Sequence, residues 1–358
     1  SDKIISRFSK IWLDLKKNKK FKEFFSFVNI NYFDLLENRF SIFVKDIIPI
    51  ALTNYENIIE KYNKNKIRFI ISGSTNLGLN NRSIIQAYKN KNVPVIIYTE
   101  GSGYGSHINP LHDNTEFHDS DIIFFYGKGN IQYYNKKFMG SNKKLFYVGS
   151  VKQNMINKKF KFTKRPNSIS SIMFVSTFNQ DNFFTSPFNG NNAVQQFSSQ
   201  INLLKVMSSL PPNVKKFVKP HNLDVNFEKA LNLPKFKHLN YLNGKFENQL
   251  DKADLFIFDF PSTTLLEALN TKAFIFILME NGQFSFTKNQ LQKLSNRAFI
   301  FTSLTELEKA LIKIVKNVKK FKSKNDNSYM YNYSLPKEID DPKKIMVDKI
   351  FNNVLKYE

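Results

Sequence analysis

A turn that contains a carboxylate and three glycines follows one of the apolar segments of the chain. It runs from Glu100 to Gly105 and comes directly after the segment VPVIIY, residues 93–98. The glycines permit tight turns and let a ligand approach the backbone closely. A carboxylate in such a turn can act as a general base on a hydroxyl group, although an exposed Glu in an ordinary glycine-rich loop is the plainer interpretation. The spacing differs from G-x-G-x-x-G, so the turn is not a dinucleotide fingerprint.

Two segments in the second half of the chain carry residue types that bind phosphate groups. Lys219 and His221 follow an apolar segment. The lysine would supply charge and the histidine a hydrogen bond, unless the proline between them simply makes a surface turn. Further along, the apolar segment LFIF leads into PSTTLLEAL, where hydroxyls and N–H groups at a helix start would form an anion site. The candidate residues of this second segment are Ser262, Thr263, Thr264 and Glu267.

Glu267 is predicted to lie one turn into that helix, where its carboxylate could accept a hydrogen bond from a ribose or sugar hydroxyl. A structural alternative is a capping box, in which Thr264 caps the helix and Glu267 occupies the third helical position. Capping and ligand binding are compatible, so both interpretations stay open.

Three of the five histidines and several carboxylates lie close together after the glycine-rich turn. A metal site is conceivable there, but the spacing matches no zinc pattern. We instead expect a polar loop over a cleft, with Gly101, Ser102, Gly103 and His107 on its acceptor side, and we expect neither a metal ion nor a bound cofactor. The cluster consists of His107, His112, His118, Asp113, Glu116, Asp119 and Asp121.

Short apolar segments that alternate with helix-like segments position these residues. In the first half, strands are predicted at 67–72, 93–98, 120–126 and 145–148, with a helix at 81–89. In the second half, strands are predicted at 171–176, 214–219, 254–258, 273–278 and 298–302, with helices at 193–210, 263–270, 303–318 and 342–357. This alternation predicts parallel sheets that are covered on both faces. Ligands of open α/β sheets bind beyond the carboxyl ends of the strands, where the candidate residues stand.

The same pattern predicts two α/β domains with additions at both ends. We expect a helical N-terminal segment at 1–65, a first Rossmann-like domain at 66–160, a second at 166–325 and a final helical segment at 340–358. Five lysines between residues 16 and 22 form a basic cluster in the N-terminal segment. Such a cluster fits a solvated helix face, or a surface that rests on an anionic membrane.

The composition excludes several classes of protein. The chain has 358 residues, no cysteine, 37 Phe and 42% hydrophobic residues, which excludes a disordered chain, a disulfide scaffold and an iron–sulfur protein. The net charge of +23 comes mostly from lysine. Nucleic-acid readers favour arginine, so we expect attraction to polyanions or anionic lipid without specific binding of nucleic acid. No apolar run is as long as a membrane span, and the first residues lack the apolar core of a signal peptide, which fits a cytoplasmic location.

The order of these features resembles that of GT-B-fold enzymes that build bacterial surface polysaccharides such as capsule and lipopolysaccharide. The segment VKPHN is similar to a K-x-H-P element of these enzymes, and ADLFIFDFPSTTLLEAL is similar to their element of strand, Asp, paired hydroxyls, helix and Glu. In the first half, VPVIIYTEGSGYG resembles a strand that ends in an acidic residue–Gly turn, and LFYVGSVK resembles a strand that ends in a vGSpk turn. Together these elements cover residues 70–280, the bulk of both predicted domains.

The resemblance implies a fold and a set of roles. The fold would be GT-B, two Rossmann-like domains whose parallel sheets face each other across a cleft, with the final helix packed back on the first domain. The motifs look most like those of the branches that use CMP-linked sialic acid or Kdo, in which Glu100 would be the base. Thr99 and Asn222 depart from that pattern, which has a second acidic residue and a proline at these positions. Donor-binding residues would be Lys219, His221, Ser262, Thr263, Thr264 and Glu267.

Two related activities and one unrelated function stay open. CDP-glycerol phosphotransferases resemble the chain but typically have a His-Gly turn where it has Glu100-Gly101. Nucleotide-sugar 2-epimerases share the fold but have a Ser-Gly-Gly phosphate loop in place of residues 260–263. A non-catalytic GT-B scaffold that binds a polyanion or a partner protein is the third possibility.

The leading hypothesis is a metal-independent glycosyltransferase. Its donor would be a nucleotide-sugar, CMP- or CDP-linked, with a CMP-linked acidic sugar as the first candidate. Its acceptor would be a bacterial surface glycan or a lipid-linked molecule, reached in the cytoplasm or at the inner face of the cytoplasmic membrane.

Overall fold

The protein has two parallel β-sheets whose carboxyl ends border one cleft. The computed structural model describes residues 2–62, 67–73, 78–99, 101, 104–106, 117–161, 163–177, 193–221, 225–280, 286–322 and 324–355. Within these residues, no helix is long and apolar enough to cross a membrane.

The N-terminal segment contains helices and one short hairpin. Its elements are α1 (Asp2–Lys17), α2 (Lys19–Glu23), β1 (Ser26–Phe27), β2 (Ile30–Asn31), α3 (Phe33–Ile42), a π-helical turn (Phe43–Ile47) and α4 (Ile48–Tyr62). Trp12, Phe33 and Val44 are buried and form the centre of its small core. The expectation of helix throughout 1–65 is wrong at the hairpin, because Val28 and Asn29 adopt positive φ angles of 49° and 63° and reverse the chain there.

The first sheet has four parallel strands in the order β3-β4-β5-β6. Continuous apolar runs form its central strands, as expected for a sheet covered on both faces, and Ile96, Ile97, Ile123 and Phe124 are fully buried. The elements of this part are β3 (Ile70–Ser72), α5 (Leu79–Lys89), β4 (Val95–Tyr98), β5 (Ile122–Phe125), α6 (Lys128–Lys137), β6 (Lys144–Tyr147) and α7 (Val151–Phe160).

The second sheet has six parallel strands in the order β12-β11-β10-β7-β8-β9. Apolar clusters cover both of its faces. The strands are β7 (Ser171–Val175), β8 (Lys215–Lys219), β9 (Asn240–Tyr241), β10 (Leu255–Phe258), β11 (Phe274–Leu278) and β12 (Phe299–Phe301). The helices are α8 (Ala193–Ser208), α9 (Val225–Leu231), α10 (Thr263–Leu269), α11 (Lys288–Ser295) and α12 (Leu304–Lys316), with single 3-10 turns at Pro234–Phe236, Phe246–Asn248 and Val318–Lys320.

The C-terminal part of the chain returns to the first sheet. It consists of α13 (Ser328–Tyr333), α14 (Pro342–Ile350) and a π-helical turn (Phe351–Leu355). Ile350 is buried in the same cluster as Ile96 and Phe124 of the first sheet. Helix α13 packs on α6 so closely that a Cβ atom at Gly127 would overlap the backbone carbonyl of Asn332.

The predicted fold class is confirmed: the chain is an α/β protein with the GT-B arrangement of two Rossmann-like sheets. All nine predicted strands are present, each inside its predicted segment or within one residue of it. The sequence did not predict the short edge strand β9, nor the helices α6, α7, α9, α11 and α13.

Candidate active site

A cleft of about 890 Å³ lies between the carboxyl ends of the two sheets. Residues after β4, β5 and β6 form one wall, and residues after β7, β8 and β10 form the other. The position agrees with the rule that ligands of parallel sheets bind at this edge. The lining residues that bear on chemistry are Tyr98, Tyr126, Ser150, Lys152, Thr177, Lys219, His221, Lys245, Glu247, Ser262, Thr263, Thr264 and Glu267.

Two tyrosines of the first domain line the cleft. Tyr98 ends β4 and Tyr126 follows β5, with ring centres 5.6 Å apart. The Tyr98 hydroxyl donates to the Gly149 carbonyl over 3.2 Å and accepts from the Val151 N–H over 3.4 Å, at the start of α7. Burial raises the pKa of Tyr98, an effect that the Val151 hydrogen bond partly opposes. The phenol is therefore neutral at physiological pH and stays an uncharged hydrogen-bonding group.

The glycine-rich turn of the first domain touches the second domain. An ideal Cβ atom built on Gly101 would lie 3.0 Å from Oγ1 of Thr263, a distance at which the neighbouring side chain must shift. A side chain at position 101 would thus crowd the start of α10, and glycine avoids this. Glu100, Ser102, Gly103 and His107 lie outside the described residues.

Lys219 and His221 stand at the end of β8, on the second wall. Lys219 is 5% exposed, and its ammonium group donates to the Pro220 carbonyl over 2.8 Å. Burial lowers the pKa of Lys219, because a desolvated ammonium group is less stable than a hydrated one. His221 lines the same cleft and is exposed. The structure thus brings these two predicted residues together with the hydroxyl segment.

Two of the hydroxyls after β10, those of Ser262 and Thr264, form a hydrogen bond with each other. Ser262 is the N-cap of α10, yet its side chain makes no capping hydrogen bond. Its Oγ lies 2.7 Å from Oγ1 of Thr264. The alternative of a capping box with Thr264 at the cap is therefore wrong, because the helix already begins at Thr263. All three hydroxyl residues are half-buried and line the cleft.

Glu267 lies at the base of the cleft and is 2% exposed. Its Oε1 accepts from Lys152 Nζ over 2.7 Å, and Lys152 also contacts Oε2 of Glu247 over 3.0 Å. Burial raises the pKa of Glu267, and the bond to Lys152 opposes this rise. Within the described residues, the buried Oε2 of Glu267 has no hydrogen-bond partner. One carboxylate oxygen is thus paired with the lysine, while the other is shielded from solvent and lacks a partner among the described residues.

Several cleft residues escaped the sequence analysis. Tyr98 is the last residue of β4, Tyr126 follows β5, and Lys152 lies five residues after β6. The rule that ligands bind at strand ends would have selected all three. Lys152 is the last residue of the segment LFYVGSVK, which resembles a motif of the GT-B enzymes. Its pairing with carboxylates of the second domain has no signal in the sequence. Lys245 and Glu247 lie in an irregular stretch after β9, a strand that was not predicted.

The described residues of the histidine cluster lie away from the cleft. His118 contacts Asp119 over 3.0 Å, and the Asp121 carboxylate accepts from Val95 N–H over 2.8 Å, at the amino end of β4. This is the edge of the first sheet opposite to the cleft. His107, His112, Asp113 and Glu116 lie outside the described residues, and among those described, no group of three His, Asp or Glu side chains could hold a metal ion.

Comparisons with known proteins agree with the fold. The UDP-GlcNAc 2-epimerase of Neisseria meningitidis bound to UDP-GlcNAc has a TM-score of 0.54 at 13% identity, over 98% of this chain and 97% of that one. The S. aureus MnaA–UDP complex has a TM-score of 0.54 at 11% identity, over 84% and 78%. The UDP-GlcNAc 2-epimerase of Methanocaldococcus jannaschii has a TM-score of 0.51 at 10% identity, over 84% and 82%. Identities this low establish a common fold only.

In sequence, no curated protein matches the chain. A family model does match, that of the LIC12162 family transferases, over residues 1–338. The match spans both sheets and the whole cleft, and it agrees with the predicted class of enzyme. The chain therefore belongs to the LIC12162 family of transferases.

Proposed function

We propose that this transferase is a glycosyltransferase that moves a sugar from a nucleotide-activated donor to a hydroxyl group of a bacterial surface glycan or lipid-linked acceptor. The contact between Gly101 and Thr263 carries the proposal. Gly101, the residue after Glu100, lies against the hydroxyl segment after β10, so we expect a base at Glu100 and a phosphate site to share one cleft. The UDP and UDP-GlcNAc complexes of the similar folds support a nucleotide-sugar as the donor.

The donor phosphate would lie against the second wall. Lys219 is buried, so its charge is weakly screened and attracts an anion more strongly than a surface lysine would. His221 and the hydroxyls of Ser262, Thr263 and Thr264 would donate hydrogen bonds to the phosphate oxygens. Glu267 lines the same cleft, and its carboxylate would accept a hydrogen bond from a ribose or sugar hydroxyl once donor binding uncovers it. A cleft of this volume is in the range that encloses a small ligand.

The reaction would join an acceptor oxygen to the anomeric carbon of the donor sugar. Glu100 would take the proton of the acceptor hydroxyl as that bond forms. The bond between the anomeric carbon and the phosphate oxygen would break, and its electron pair would leave with the nucleotide. Lys219 and His221 would stabilise the charge that develops on the leaving phosphate.

A CMP-linked acidic sugar is the first donor to test. Such a donor carries a phosphate and a carboxylate, and the cleft offers Lys219 and Lys245 in addition to Lys152, whose charge two carboxylates already balance. We further propose that the reaction takes place in the cytoplasm, at the membrane surface where lipid-linked acceptors are held. A CDP-glycerol donor is the alternative that the same assay would detect.

The test is release of free nucleotide from a panel of CMP-, CDP- and UDP-linked donors, with and without glycan acceptors. We expect Glu100→Gln to abolish transfer while nucleotide binding persists, and His221→Ala to weaken both. Full activity in Glu100→Gln would overturn the assignment of the base. Transfer of glycerol phosphate to the acceptor with release of CMP, instead of transfer of a sugar, would overturn the donor class.

A further inference from the structure

The described part of the chain has its most exposed group of apolar side chains in the N-terminal segment. Of 23 exposed large apolar side chains, 14 lie between Ile5 and Leu52. Four of them belong to one short stretch, the hairpin formed by β1 and β2 and the residue that leads into it. These four, which we call the apolar tip, are Phe24 at 84% exposed, Phe27 at 73%, Val28 at 73% and Ile30 at 54%.

The apolar tip stands on a packed base. Phe21 and Phe25 are in ring contact with each other, and each also contacts Phe33 and Phe40. Asn31 ties the hairpin to its neighbours. The Asn31 side chain donates to the Lys22 carbonyl over 3.1 Å and accepts from the Phe33 N–H over 2.8 Å. The fold therefore holds these apolar groups outward in a fixed arrangement.

The conformation of the turn does not favour a valine at position 28. Val28 and Asn29 have positive φ angles, the pattern of the two-residue turn that favours Asn and Gly. A β-branched residue is strained in this conformation. Val28 thus lowers the stability of the hairpin and buries little surface within the chain, so its apolar side chain requires another explanation.

A lysine-rich stretch directly precedes the apolar tip along the chain. Residues 16–32 contain five lysines and one acidic residue, Glu23. Lys17 and Lys20 are exposed, and Lys20 lies one helical turn before Phe24, on the same side of α2. Exposed apolar groups beside exposed cations match the interfacial region of an anionic bilayer, where headgroups meet acyl chains.

We propose that the apolar tip and the lysines that precede it dock the enzyme on an anionic lipid bilayer, with Phe24, Phe27, Val28 and Ile30 inserted below the headgroups. A second copy of the chain is the competing occupant of an exposed apolar surface. Lys16 and Lys19 pair with Glu37 and Glu23, but Lys17 and Lys20 are exposed. Repulsion between these like charges of two copies would oppose a symmetric contact. A bilayer rich in anionic lipid has the complementary charge.

The test is flotation of the full chain with vesicles, which requires no substrate. We expect it to bind vesicles of phosphatidylcholine with phosphatidylglycerol, and to bind vesicles of phosphatidylcholine alone much less. Phe27→Ser should lower the partition coefficient by about tenfold or more. Lys17→Gln and Lys20→Gln should each lower it about fivefold, and added salt should act in the same direction.

Val28→Asn separates docking from folding. Asn is favoured at a positive φ angle, so the substitution should keep or raise the melting temperature while it weakens vesicle binding. Met139→Ser and Lys136→Gln, two exposed positions near the end of α6, are the matched controls and should bind as the unchanged chain does. Failure to bind anionic vesicles, an equal loss in the controls, or a stable dimer that Phe27→Ser dissociates would each overturn the proposal.

Discussion

Lys152 Nζ lies 2.7 Å from Oε1 of Glu267 and 3.0 Å from Oε2 of Glu247. One lysine at the start of the helix that follows the first sheet therefore holds two carboxylates of the second domain. The contact fixes the base of the cleft, since Glu267 is buried and Lys152 is its ionic partner there. Protonation of either carboxylate would weaken this contact between the two domains.

Lys152→Gln should lower the free energy of unfolding by about 2 kcal/mol at neutral pH, because it leaves Glu267 buried without a cation. The loss is smaller than that for a fully buried pair, since the lysine side chain is 47% exposed. Lys158→Gln, an exposed position on the same helix, should change stability little. Chemical denaturation measures both variants.

The effect of Lys152→Gln should depend on pH with a defined sign. Burial raises the pKa of Glu267. In Glu247 burial also acts to raise the pKa, but the bond to Lys152, a backbone hydrogen bond and the charges of Lys152 and Lys245 together lower it. The stability from Glu267 is thus lost as pH rises through its raised pKa, and that from Glu247 is lost as pH falls through its lowered pKa. Without the lysine the pKa of each carboxyl should rise, because a cation that favours the ionised form is lost. The destabilisation should therefore be largest at neutral pH and shrink in acid; a constant difference across pH would contradict the ion-pair explanation.

Gly127→Ala should destabilise the protein by about 3 kcal/mol or more, because the new Cβ would overlap the backbone carbonyl of Asn332. Gly140 is the matched control. It has a φ of 84° and no atom within 4 Å of an ideal Cβ, so Gly140→Ala should cost only about 1 kcal/mol of backbone strain. Equal losses in thermal denaturation would show that α13 does not pack on α6 as described.

Gly101→Ala should disturb the cleft through Thr263. We expect it to reduce nucleotide affinity about as much as Thr263→Ala does, because both changes remove the hydroxyl from its position. In a Thr263→Ala background, Gly101→Ala should then have little further effect. Calorimetric titration of the four proteins gives this double-mutant cycle, and simple additivity of the two effects would show that the positions act independently.

The sequence predicted most strands of both sheets for a physical reason. A strand buried on both faces is a continuous apolar run, as LFIF at Leu255–Phe258 illustrates. The hairpin at Val28 escaped prediction because it lacks the Asn-Gly or Gly-rich signal of such turns. Helix α13 was not predicted because the sequence around it is polar. Its buried side chains, Tyr329, Met330 and Tyr333, are buried by contact with segments that are distant in the sequence.

The candidate site was predictable only in part. Lys219, His221 and the hydroxyls after β10 stand at strand ends, which the order of strands along the chain already indicates. Lys152 and Glu247 could not be found this way. Their role depends on how the two sheets are oriented toward each other, and a local pattern of residues contains no information on that orientation.

The protonation of Lys219 should make nucleotide affinity depend on pH. Burial lowers its pKa in the free protein, and a bound phosphate would favour the charged form. Affinity should therefore be full below this lowered pKa and fall as pH rises through it, earlier than an ordinary lysine would lose its proton. Lys219→Arg should flatten the profile, since arginine stays charged. An unchanged profile in Lys219→Arg would show that another group controls the affinity.

The most direct test of the account is calorimetric titration of the unchanged chain with CMP, CDP and UDP. We expect one of these nucleotides to bind at a single site per chain, with an affinity that falls by about tenfold or more in Lys219→Gln. Lys215→Gln, at the other end of the same strand, should leave it unchanged. If none of the three nucleotides binds, or if Lys215→Gln weakens binding as much as Lys219→Gln does, the cleft between the two sheets is not a donor site.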